Sequence, residues 1–165
     1  AFTAFQFYAS LNQQALSQQE ISDIQQTNRA CLEELSTALR SAGSGLATSP
    51  PYVVSNDSLS VYRQAAGGVD TVLYFLQEID DSVYTAMGID ASSGMVVNWL
   101  MRQENSAVAQ IYADCITDLR YTVINPRLVA ITIEVQTTKA DETFNQNNGY
   151  RTFVNTERVV VRNAD

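Results

Sequence analysis

Residues 1–42 contain neither glycine nor proline, and Gly43 and Gly45 follow at once. A run that long without a backbone punctuator, rich in Gln, Ala, Leu, Ser and Glu, predicts one helix of about 40 residues, roughly 60 Å long at ~1.5 Å per residue. Its second half is amphipathic. Ile21, Ile24, Cys31, Leu35, Ala38 and Ala42 recur at intervals of three, four and seven, with Leu32 and Leu39 beside them and Asn28 as the one interruption. Ile21, Ile24, Leu35 and Leu39 are the expected core face, and Gly43 and Gly45 supply the left-handed stop. The first half is different. Phe2, Phe5, Phe7, Tyr8 and Leu11, with the aromatics Phe2, Phe5 and Tyr8 at helical spacing among them, lie too far from the core half for the same globular body to cover, so they call for lipid or another subunit. The aromatic opening Ala1–Tyr8 reads as the continuation of something longer.

From about residue 50 the pattern shortens to β segments. Residues 58–64, 71–77, 95–102, 116–124, 128–137 and 152–162 are the expected strands, several with the alternation of Ile131-Thr132-Ile133-Glu134-Val135. Gly67-Gly68 and Asn125-Pro126 read as turns, 145–149 as a polar surface loop, and 81–92 leaves room for a short helix. One long helix followed by a run of strands implies an α+β fold, a long N-terminal amphipathic helix packed on antiparallel β-sheet. The division is a helical part, 1–45, and a β-rich head, 46–165, forming one folded domain.

Composition excludes several functions. The formal charge is −8, with Lys139 the single lysine, which disfavours nucleic acid and anionic lipid as partners. No histidine is present, which removes histidine-based nucleophile systems and the commonest transition-metal ligand. Two cysteines are too few for a thiolate zinc site. No phosphate-binding loop, nucleophile elbow or thiol-redox motif occurs, and Asp80-Asp81, Asp141-Glu142 and Glu33-Glu34 read as solvated charge. No catalytic residue, metal or cofactor is expected. Trp99 reads as core or rim of a strand.

Segment 29–43, Arg-Ala-Cys-Leu-Glu-Glu-Leu-Ser-Thr-Ala-Leu-Arg-Ser-Ala-Gly, resembles the helix end of PilW/GspJ-type minor pilins, which close on a Leu-Arg-x-Ala-Gly pattern. Residues 57–63, 71–76, 100–105, 114–121, 126–135 and 158–163 resemble that family's strands in the family's order, so the likeness covers nearly the whole chain. The resemblance implies a type IV filament system. There the N-terminal helix anchors the subunit in the bacterial inner membrane, with the head in the periplasm, and then packs in the filament core at the cell surface. Such a subunit joins other minor pilins and the major pilin in a tip or priming complex; the equivalent in a type II secretion system is a minor pseudopilin. The family's apolar opening helix with its assembly glutamate is not part of this sequence, and the short Gly67–Asp70 turn replaces an Asp/Gly-rich one, so no calcium is expected there. In a periplasmic setting Cys31, on the core stripe, and Cys115, before a strand, are a pair that a disulfide could join, or else two buried thiols. Readings of another class are a periplasmic or surface ligand-binding module, which needs a concave pocket, and a carboxylate hydrolase, for which no pair stands out.

Overall fold

A computed structural model describes residues 2–46, 50–90, 96–141 and 144–164, with side chains from Gln6 onward. The side chains of Phe2 and Phe5, and Met95 and Glu142, lie outside the described residues. Helix α1 runs Phe2–Ser41, and strands β1 (Tyr52–Ser55), β2 (Ser58–Ala65) and β3 (Gly68–Glu78) follow. Helix α2 (Asp81–Met87) separates these from β4 (Asn98–Glu104), β5 (Gln110–Asn125), β6 (Leu128–Gln136) and β7 (Thr152–Val160), with a 3-10 turn at Asn147–Gly149. The strands form one antiparallel sheet in sequence order, β1 to β7. This is the α+β architecture that the sequence predicts, a long N-terminal helix on an antiparallel sheet, and it is compatible with the broad pilin-like fold class. Among the described residues no helix is long and apolar enough to cross a membrane.

The core lies between α1 and one face of the sheet. Leu35, Leu39 and Cys31 are fully buried, Ile24 nearly so, and Ile21 is half-buried. Against them stand alternate residues of the strands: Leu59 and Val61 of β2, Val72 and Tyr74 of β3, and Val129, Ile131, Ile133 and Val135 of β6. Asn28, which breaks the apolar stripe, is buried. Its amide nitrogen donates to the carbonyls of Ile133 (3.0 Å) and Phe153 (3.2 Å), pinning the helix across β6 and β7. A single polar group held this way fixes the register of an otherwise greasy contact, because sliding α1 by one turn would strand the amide among side chains.

The sheet curls about the end of α1. Gly43, at φ 73, donates its N–H to Tyr62 O of β2 at 2.7 Å, and Asn163, just past β7, donates to Ala42 O at 2.9 Å. Residues beside both edges of the sheet thus meet the helix terminus. A Cβ at position 43 would lie 2.7 Å from Pro51 Cβ and 2.9 Å from Asn163 Cβ, so glycine is required for space as well as for conformation.

Several boundaries differ from expectation. Strand β4 begins at Asn98 rather than at 95, β6 ends at Gln136, and β7 ends at Val160. Strand β5 begins six residues before the expected 116, and β1 was not expected. Asp80 is not a bare solvated turn but the N-cap of α2. Its carboxylate accepts from Ser82 N at 3.0 Å, and those hydrogen bonds hold its pKa below the ordinary value. Trp99 is half-buried and packs against the core.

Candidate functional site

Helix α1 engages the sheet over only part of its length. From Gln6 to Leu16 every residue is exposed, including Phe7 (68%), Tyr8 (67%) and Leu16 (59%), with Leu11 at 47%. Leu16 extends the surface that the sequence assigns to Phe2, Phe5, Phe7, Tyr8 and Leu11. A stripe read one turn further along the sequence would have included it. Residues 1–19 contain no charged side chain.

The two apolar stripes of α1 do not share a line. At ~100° per residue, the exposed Phe7, Tyr8, Leu11 and Leu16 fan over about half a turn, centred well over a third of a turn away from the line through Ile24, Asn28, Leu35 and Leu39. Continued toward the N-terminus, the sheet-facing line meets Ser10, Gln13, Gln14 and Ser17 instead. These polar residues look onto the loop after β6 and form one wall of a groove of about 710 Å³, with Lys139, Asp141 and Arg151 opposite. Ser17 Oγ donates to Asp141 Oδ2 at 3.2 Å, and Arg151 reaches the same oxygen at 2.8 Å while stacking over Phe144, 4.8 Å from its ring centroid. Asp141 is therefore a tie between helix and head rather than free solvated charge. Burial raises the pKa of Glu20 in this groove; Asp23 and Asp141 add to the rise and Lys139 opposes it. Past Ser17 the helix leaves the head with its greasy stripe turned aside and its amides turned toward the groove.

On the other flank, Glu34 is not exposed charge either. Tyr74 donates its hydroxyl to Glu34 at 2.6 Å, and Arg102 lies 3.2 Å from the same oxygen, so α1 is tied to β3 and β4 by a half-buried polar chain. Glu33 is exposed. Burial and the hydrogen bond to Glu34 push the Tyr74 phenol well above its usual range.

The disulfide expectation is corrected: Cys31 and Cys115 are both buried and both free. Strand β5 gains extra residues on both sides of Cys115, and Cys115 itself sits at φ 58. Cys115 therefore lies inside β5, on a bulge, rather than before a strand. Burial pushes both thiols up to about 12, with Asp114 adding to the rise in each case. Three consequences follow. A thiol reagent at pH 8 leaves the folded protein unmodified and finds two thiols after denaturation without reductant. Finding none after denaturation would mean a bond. And because the folded thiols hold their protons where the unfolded ones have lost them, stability falls above about pH 9, by ~1.4 kcal/mol per pH unit per thiol up to the folded value.

Among the described residues no group of three or more His, Cys, Asp or Glu side chains is placed to hold a metal. Compared with protein families, curated proteins and solved structures, the chain matches none.

Proposed function

We propose that this chain is a structural subunit of a type IV filament, a minor pilin that acts by assembly rather than by catalysis. The observation that carries the reading is the unshared half of α1: a helix of 40 residues whose turns from Gln6 to Leu16 are exposed, aromatic and uncharged. An apolar stripe that the chain's own sheet does not cover costs free energy in water and is stabilised by packing against similar helices. The absence of charge over residues 1–19 means that such packing desolvates no ion. The stripe also points well over a third of a turn away from the head, which leaves neighbouring helices room to approach. In this reading the head lies outside a helical bundle formed with other minor pilins and the major pilin. The full-length protein carries an apolar membrane helix continuous with α1, and the head is periplasmic before assembly.

Co-purification of the full chain with the pilin-like products of neighbouring genes tests the proposal. Leu11→Glu places a charge in the stripe at a residue that its own head leaves exposed. The expected result is loss of co-purification by at least tenfold with unchanged thermal unfolding of the isolated chain. Undiminished co-purification would contradict the bundle mechanism.

A further inference from the structure

Just before β7, three successive residues take positive φ: Asn147 at 47, Asn148 at 53 and Gly149 at 88. Residues other than glycine reach this region singly and at a cost, asparagine more readily than most. The turn is held in that shape from several sides. Gly149 N donates to Gln146 O at 2.9 Å and Tyr150 N to Asn147 O at 3.0 Å. Asp141 N donates to Gly149 O at 2.8 Å. Gly149 is buried so closely that a Cβ there would lie 3.0 Å from both Ala140 Cβ and Asp141 O. Tyr150 is 2% exposed, and its hydroxyl accepts from Asp90 N at 2.9 Å. Asn148, in the middle of the turn, is exposed.

We propose that Asn148 is a site of spontaneous covalent modification, its conversion to aspartate and isoaspartate, and that the folded turn holds this reaction in check. Asparagine followed by glycine is the pair most prone to it, because glycine has no side chain to obstruct the attacking nitrogen. Gly149 N gives up its proton and attacks Cγ of Asn148. A C–N bond forms, the Cγ–Nδ2 bond breaks, and the proton leaves with the departing ammonia. Water then opens the five-membered imide at either carbonyl. The product is an aspartate, or an isoaspartate with an extra methylene in the main chain. Two features of the turn oppose closure of that ring. Closure needs Asn148 Cβ and Gly149 N eclipsed about the Cα–C bond, and a ψ of 31 holds them nearly opposite. The attacking N–H is also engaged by Gln146 O. Opening of the loop removes both restraints together, so the rate of modification follows how often the turn lets go. The same loop carries Asp141, whose carboxylate accepts from Ser17 of α1 and from Arg151. A lengthened main chain has no room where Gly149 lies against Ala140 and Asp141, so the isoaspartate form keeps the loop open and loosens that tie to the helix. None of this depends on the filament reading.

Ageing the full chain at about pH 8, folded in buffer and unfolded in guanidinium chloride, tests this. Cleavage after Lys139 and Arg151 releases 140–151 as one peptide. Mass spectrometry of that peptide places the gain of one mass unit at a residue, and the isoaspartate form separates from the aspartate form by chromatography. In the unfolded chain Asn148 should react at least tenfold faster than Asn56 and Asn105, which Asp57 and Ser106 follow. In the folded chain Asn148 should react at least tenfold more slowly than in the unfolded one. Asp141→Ala, which cuts the side-chain tie of the loop to α1, should raise the folded rate at least threefold. Arg40→Ala, which cuts the tie to Glu157 near the other end of α1, should leave it unchanged. Equal rates in the folded and unfolded chain would overturn the proposal. So would a rate at Asn148 no higher than at Asn56 in the unfolded chain, or equal effects of the two alanines. Should Asp141→Ala fail to fold, the comparison of folded and unfolded parent decides alone.

Discussion

Leu35→Ala should cost about 3–4 kcal/mol of folding stability and lower the unfolding midpoint by roughly 6–16 °C. Leu35 is completely buried in the middle of the contact between α1 and the sheet, so removing its side chain leaves a cavity that the packed strands cannot close. Leu11→Ala, the same change on the same helix, should stay within about 0.5 kcal/mol of the parent, because Leu11 is 47% exposed and touches no core. The pair divides α1 into a half that serves the head and a half that does not. Thermal or urea unfolding of the two variants measures the difference, and comparable losses at both positions would show that the first half is packed on its own head.

Gly43→Ala should cost about 2–4 kcal/mol, a large effect for the addition of one methyl group. Part is conformational, since an alanine at φ 73 is disfavoured by ~1–2 kcal/mol. The rest is steric. The new methyl would meet Pro51 Cβ, Asn163 Cβ and the Asn163 carbonyl, all at 3.0 Å or less, two of them on backbone-anchored atoms with little freedom to retreat. Gly88→Ala is the control: its φ is 79, close to that of Gly43, but nothing lies within 4 Å of the added methyl, so it should lose only the conformational share. Equal losses at the two glycines would mean that the sheet edges do not close on the end of the helix as described.

Much of this architecture is legible in the sequence because it rests on period. The 3.6-residue stripe from Ile21 to Ala42 and the two-residue alternation in 58–64 and 128–136 each report a single buried face, and register with the sheet follows from them. Period fails where the chain departs from regular geometry. The first part of β5, Gln110–Cys115, carries extra residues opposite β4, so its inward and outward positions no longer alternate and the segment does not read as strand. Strand β1, four residues long, is too short to show alternation against its neighbours. Of the candidate surface, the aromatic turns of α1 are visible at once, while the groove beneath them is not. Ser10, Gln13 and Ser17 look like ordinary solvent-facing positions until the fold brings Lys139, Asp141 and Arg151 opposite, more than a hundred residues away in sequence. Asp141 and Glu34 show the same limit. A carboxylate in a charge run reads as solvated, and only the tertiary structure supplies Arg151, Ser17, Tyr74 and Arg102 as its partners.

The two thiols make a direct measurement practical. Cys31 and Cys115 are buried and held protonated, so a cysteine introduced by Leu11→Cys is the only one a maleimide reaches in the folded protein. Labelling rates at position 11, compared between the isolated chain and the chain assembled with its partner subunits, test whether the first half of α1 is left bare by its own head and covered by others. The account predicts labelling near the rate of a free thiol in isolation and at least tenfold slower labelling in the assembly. Slow labelling in the isolated chain, or the same rate in both states, would contradict it.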